Sequence, residues 1–133
     1  GVTVMQTTTL PVEPVFAPDG SEICELVAGQ YASMVHCTLP VGGVSMAVRH
    51  RTVEELWFVA AGGGEVWRTM NSGETVAAVG PGSALDIPLD AHFQFRNTGA
   101  DPLVIVITTM PPWPGSHEAP RVDDHWPVHS GLV

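Results

Sequence analysis

The sequence predicts an all-β fold, a small barrel or sandwich, and three observations carry that prediction. From about residue 22 to residue 110 the chain runs in short β-branched and aromatic stretches separated by Gly and Pro, the pattern of strands joined by tight turns. The breaks carry turn chemistry: Pro40-Val41-Gly42-Gly43, Gly62-Gly63-Gly64, Asn71-Ser72-Gly73, Gly80-Pro81-Gly82 and Asn97-Thr98-Gly99, where Gly and Asn tolerate the positive φ that hairpin turns demand. No segment sustains a helical period over about eleven residues, so helix content is expected to be low.

Taken in order, residues 1–20 carry Thr7, Thr8, Thr9, Pro11, Pro14 and Pro18 without periodicity and read as an extended arm that pairs at an edge or frays. The barrel is expected over 21–110, with strands near 22–28, 32–39, 45–50, 54–60, 64–69, 74–79, 84–88, 92–97 and 102–109. Residues 111–133 form a Pro-rich tail in which Pro111, Pro112, Pro114, Pro120 and Pro127 interrupt Trp113 and Trp126. Each interior Pro removes a backbone donor and clashes with the preceding turn, which excludes a long helix. The two Trp imply that the tail packs on this barrel or on a neighbouring subunit.

Composition narrows the function classes. A chain of 133 residues fits one domain, and 44% hydrophobic against 14% charged residues is the balance of a globular core rather than of disorder. Fourteen acids stand against five Arg and no Lys, for a net charge of -9. Nucleic acid and anionic membrane surfaces need clustered cations, so neither is an expected partner. The missing Lys removes Schiff-base chemistry on a side-chain amine. No stretch approaches the ~20 apolar residues of a membrane helix, and the chain is expected to be soluble and cytoplasmic. Cys24 and Cys37 match no CxxC motif or disulfide framework and read as two reduced thiols in or near the core.

From Gly42 the spacing is Gly42, five residues, Val48-Arg49-His50, four residues, Glu55, six residues, Gly62; further on it is Gly82, five residues, Pro88-Leu89-Asp90, two residues, Phe93, three residues, Asn97. This resembles the two motifs of the cupin superfamily, in the right order and without an insertion, over roughly residues 30 to 110. The resemblance implies a cupin double-stranded β-helix, a jelly-roll-like barrel. In that family two His and the Glu of the first motif, with the His of the second, converge on one divalent metal. Here only His50 and Glu55 stand at those positions. Val48 and Phe93 replace the other two, and Asp90 replaces the motif glycine. Since a mononuclear site needs three or four protein ligands, no metal and no other cofactor is expected, unless a bulge near Asp90 and Ala91 turns His92 inward or His36 supplies a third ligand.

Strand alternation puts Val48 and His50 on one face and Glu55, Trp57 and Val59 on another, and the resemblance turns both inward. Phe93 and Phe95 alternate with His92, Gln94 and Arg96; with the rings inside, the polar three point out, and a one-residue slip would reverse this. The cavity is thus expected to be lined by Val48, His50, Glu55, Trp57, Phe93 and Phe95. Arg68 shares a face with Val66 and either reaches a substrate carboxylate or pairs with an acid. Arg49 and Arg51 fall on the opposite face from His50. His50 and Glu55 read either as an acid/base pair, with burial raising the Glu pKa and a carboxylate partner raising that of the His, or as a buried hydrogen-bonded pair with a structural role alone.

The leading functional reading is a metal-independent enzyme that isomerises, cyclises or eliminates from a small, partly apolar organic molecule, with His50 as base and Glu55 as its partner or as the acid. Two alternatives remain. One is a metal-dependent cupin oxygenase or isomerase with a further ligand; the other is a non-catalytic ligand-binding cupin. The resemblance also implies a homodimer, with which the apolar run 103–107 and the Trp-bearing tail are compatible.

Overall fold

The computed structural model describes residues 4–17 and 19–131; residues 1–3 and 18 of the arm and 132–133 of the tail lie outside the described residues. The strands are β1 (Val15–Phe16), β2 (Glu22–Ala28), β3 (Ser33–Leu39), β4 (Gly43–Val44), β5 (Glu54–Ala61), β6 (Gly64–Met70), β7 (Gly73–Val79), β8 (Ala84–Ile87), β9 (His92–Asn97), β10 (Leu103–Met110) and β11 (His129–Ser130), with one short 3-10 turn at Ser116–Glu118. They form a six-stranded sheet in the order β1-β2-β3-β10-β5-β8 and a five-stranded sheet in the order β11-β4-β9-β6-β7, every pairing antiparallel. The all-β, jelly-roll-like barrel expected from the sequence is the architecture found.

Alternation explains which side chains fill it. In β10, Leu103, Ile105, Ile107 and Thr109 are buried while the residues between them are half-buried; in β5, Glu55, Trp57 and Val59 are buried between exposed neighbours. Phe95, Val66, Val59, Ile105 and Leu103 are fully buried and meet between the sheets, where each large apolar side chain contributes ~1.5–3 kcal/mol. Gly62 closes the β5–β6 hairpin at φ 79, and a side chain there would collide with the Pro102 carbonyl, so this motif glycine is required on both counts. Asp90, where the motif glycine is replaced, keeps a left-handed φ of 65 and pairs with Arg49 at 2.9 Å.

Two expectations are corrected. Residues 45–50 do not form a strand. Their backbone is shared between neighbours: Val48 exchanges hydrogen bonds with Phe93 of β9, Met46 N donates to Asp19 O, and Arg49 N and Arg51 N donate to Pro120 O and Glu118 O. With the arm on one rung and the tail on the next, no ladder continues long enough to make a strand. The run 103–107 is not a free edge for pairing with a second copy, because β10 lies between β3 and β5, and its Leu103, Ile105 and Ile107 side chains face the chain's own core.

β9 departs from simple alternation, since Gln94 is fully buried on the face away from the cavity. The tail covers it: the Gln94 amide donates to Ser45 O and Trp126 O and accepts from the backbone N–H of His125 and Trp126. All four of its hydrogen-bonding capacities are used. His125 stacks on Trp67, and Arg96 lies over the Trp126 ring at 4.3 Å while pairing with Glu65.

Candidate functional site

His50 follows the Val48 bridge, and Glu55 is the second residue of β5. Both line a partly open cavity of about 40 Å³ together with Val48, Trp57 and Phe93. His50 is 3% exposed and Glu55 6%. The rings form an edge-to-face cluster: His50 meets Phe93 at 5.1 Å and Trp113 at 5.3 Å, and Trp57 meets Phe93 at 5.7 Å. Glu55 Oε1 accepts from Trp57 Nε1 at 2.9 Å, so the indole two residues along the same strand face fixes the carboxyl. Phe95 stands behind this layer, edge-to-face with Trp57 at 5.1 Å, and supports the wall without lining it.

Arg68 is not in the cavity. It shares a face with Phe93, its cross-strand partner, but its guanidinium crosses to the other sheet and binds Asp86 through the backbone carbonyl at 2.8 Å and the carboxylate at 2.9 Å. An acid within reach wins the guanidinium over an apolar interior. His92 and His36 also lie elsewhere. His92 pairs with Thr69 on the face opposite Phe93, and His36 alternates with the buried Cys37. Neither can join His50 and Glu55.

The chain's metal positions therefore do not fit a mononuclear centre: Val48 and Phe93 carry no donor atom, and the ring of Phe93 packs against His50. Among the described residues no group of three or more His, Cys, Asp or Glu is arranged to hold a metal ion.

Other polar groups enter from parts of the chain that carry no motif. Asp19, in the turn before β2, lines the cavity with Ser21, and its Oδ1 accepts from Ser21 N at 2.9 Å and Ser21 Oγ at 2.6 Å. Cys37 and Thr109 line it as well; Cys24 sits on the other face of its sheet, and both thiols are free. Trp113 of the tail forms one wall. Glu118, buried in the 3-10 turn, accepts from Val53 N at 2.8 Å and Thr52 Oγ1 at 2.9 Å, and also from Thr52 N. No sequence signal marked Asp19, Trp113 or Glu118; a lone acid beside a turn Gly and a Trp among prolines have many commoner uses.

Burial dominates the electrostatics. It pushes His50 down from 6.5 to about 4, against the upward pull of the Glu118 charge. It pushes Glu55 up from 4.5 to about 8, with the Trp57 hydrogen bond opposing and the charges of Asp19 and Glu118 adding. Asp19 is likewise raised by burial, partly offset by the bonds from Ser21. Glu118 feels burial too, but the donors of Thr52 and Val53 and the nearby His50 outweigh it and hold this carboxyl low. The expected rise in the His50 pKa is thus overturned: desolvation of the imidazolium exceeds the attraction of a carboxylate, and the acid that acts on His50 is Glu118. His50 Nδ1 is buried without a hydrogen-bond partner among the described residues.

These shifts fix a stability profile. A carboxyl with a raised folded pKa contributes stability that is complete below its unfolded value and lost as pH rises, here between 4.5 and about 8 for Glu55. A His with a lowered folded pKa contributes fully above 6.5 and loses stability as pH falls towards about 4. The His50 and Glu55 slopes oppose each other from about pH 4.5 to 6.5, where the raised Asp19 adds a fall of its own, and Glu55 then costs roughly 2 kcal/mol between about pH 6.5 and 8, at ~1.4 kcal/mol per pKa unit. Urea midpoints across pH 4 to 9 should trace this shape, and Glu55→Gln should remove most of the alkaline fall. A wild-type midpoint constant from pH 6 to 9 would contradict a protonated Glu55.

Comparison with known proteins bears on the fold. No family model matches the chain. It is 28% identical over 120 residues to an uncharacterised protein of Methanocaldococcus jannaschii, MJ1618, covering 86% of this chain and 91% of that one. Among solved structures it is similar to a substituted form of Streptomyces PAC13 with uridine, at TM-score 0.71 and 14% identity over 91% of this chain and 92% of that one. It is also similar to the cupin domain of Schizosaccharomyces pombe Cnp3, at TM-score 0.62 and 12% identity over 68% of this chain and 61% of that one.

Proposed function

We propose that this barrel, whose fold is that of the cupins, is a metal-independent small-molecule enzyme in which His50 is the base and Glu55 the acid of an isomerisation, cyclisation or elimination. The carrying observation is that His50 and Glu55, both buried, line the same cavity, where desolvation pushes their pKa values in opposite directions, to about 4 and about 8. At neutral pH the base then holds its lone pair and the acid its proton, the protonation states that proton transfer between neighbouring substrate atoms requires. The His50 side chain lines the cavity with its Nδ1 unpartnered among the described residues. The walls of Trp57, Phe93 and Trp113 exclude water and favour an apolar substrate body. A ligand larger than a few atoms requires Trp113 to shift, because about 40 Å³ is room for only a few waters. The nucleoside named with PAC13 supports a small organic molecule as the occupant of such a barrel.

NMR titration of the His50 ring and the Glu55 carboxyl tests this directly. His50 should remain neutral down to about pH 4 and Glu55 protonated up to about pH 8. Titration of both at their ordinary values would remove the acid/base reading and leave a ligand-binding barrel.

A further inference from the structure

We propose that the cavity recognises a small primary ammonium compound, with the Asp19 carboxylate as its anchor. The inference rests on the reading of this cavity as a substrate site and names the class of substrate.

The first observation is an imbalance of charge. Asp19 and Glu55 both line the cavity, each less than a tenth exposed, and among the described residues no cationic side chain lines it with them. The chain has no Lys. Arg49, Arg68, Arg96 and Arg121 are paired with Asp90, Asp86, Glu65 and Asp124, and Arg51 donates to His117 O outside the cavity. Buried acids are costly unless neutralised by a proton or a counter-charge. A neutral ligand leaves the proton as the only solution, and an anion adds repulsion from Asp19 and nearby Glu118. A cation supplies the missing partner.

The second observation concerns acceptors. Ser21 occupies Asp19 Oδ1 alone, while His50 lines the cavity 97% buried, with its Nδ1 unpartnered among the described residues. The second carboxylate oxygen of Asp19 is the acceptor for a primary ammonium, and the protonated Glu55 and the His50 lone pair take no part in that bond. The third observation is the wall: Trp57, Phe93 and Trp113 are the aromatic surface to which a desolvated cation is attracted, and the same rings cover a short apolar tail. The proposed roles remain compatible. Asp19 ionises against the ammonium, Glu55 keeps its proton and His50 keeps its lone pair. Nothing in either motif marks Asp19, because it enters from the arm.

The test is calorimetric titration of the full chain at neutral pH with three probes of one size: propylammonium, 1-propanol and propionate. Propylammonium should bind at least tenfold more tightly than the other two. Asp19→Asn, which exchanges a buried carboxyl for an amide of equal size, should reduce that affinity about tenfold or more and leave 1-propanol unaffected. Equal or tighter binding of 1-propanol or propionate, or no binding of propylammonium, overturns the proposal, and this comparison stands on the wild-type protein even if Asp19→Asn does not fold. An Asp19→Asn protein that folds and keeps its preference for propylammonium overturns the anchor. The NMR titration of His50 and Glu55 separates the two ideas: ordinary pKa values with a propylammonium preference would sink the acid/base reading alone, and shifted values with a 1-propanol preference would sink this one alone.

Discussion

Replacing His50 by Ala, or Glu55 by Gln, is expected to reduce turnover by about a hundredfold or more, and the double variant should be little worse than either single one. General acid and base groups each contribute ~10²–10⁴ in rate, and groups that act as one unit lose nearly everything at the first deletion. The geometry provides the unit. Both side chains line one cavity, Glu55 is fixed by the Trp57 indole at 2.9 Å, and His50 is held between the rings of Phe93 and Trp113. Neither substitution should unfold the barrel, because Glu55→Gln keeps the size of the side chain and the acceptor for Trp57, and removing His50 deletes a buried Nδ1 that had no partner. Steady-state kinetics across the cycle, with circular dichroism to check folding, decides the matter. Additive losses in the double variant would mean that the two residues act separately, and near-wild-type turnover in both single variants would reduce them to structural residues.

The second large effect is on stability. Phe93→Ala should cost about 3–5 kcal/mol, the range for aromatic truncation in a core. Phe93 is 1% exposed and packs edge-to-face on both His50 and Trp57. Its backbone exchanges both hydrogen bonds with Val48, which keeps β9 in place, so the surroundings collapse only in part and a void remains. Urea unfolding measures this, and a change within about 0.5 kcal/mol would mean that the ring is superficial. The same variant should release His50: with one aromatic neighbour gone, water reaches the imidazole and its pKa should climb from about 4 towards its ordinary 6.5.

Most of the strands were legible from residue pattern. Expected and observed ranges coincide at 22–28 and 92–97 and differ by a residue or so elsewhere, apart from 45–50. That segment looked like a strand because its own residues alternate, yet a strand also needs a partner, and its partners are residues such as Asp19, Pro120 and Glu118 that lie far away in sequence. Gln94 shows the same limit. Its position gave its face correctly, but only the tail, more than thirty residues on, explains why that face is buried.

By itself the sequence determined the all-β class, the turns, and the strand faces on which Glu55, Trp57 and Phe93 lie, because a strand's two-residue period and the φ tolerance of Gly are local properties of the chain. It also determined the mismatch with a metal centre, since Val and Phe carry no donor atoms in any fold. Tertiary structure alone decided what surrounds those side chains. It brought Asp19 from the arm and Trp113 from the tail to the cavity, set the Glu118 charge near His50, turned Arg68 aside to Asp86, and left His50 poor in water, so that its pKa falls where a carboxylate partner had been expected to raise it. Desolvation and charge coupling depend on distances through space, which long-range packing sets and local pattern does not contain.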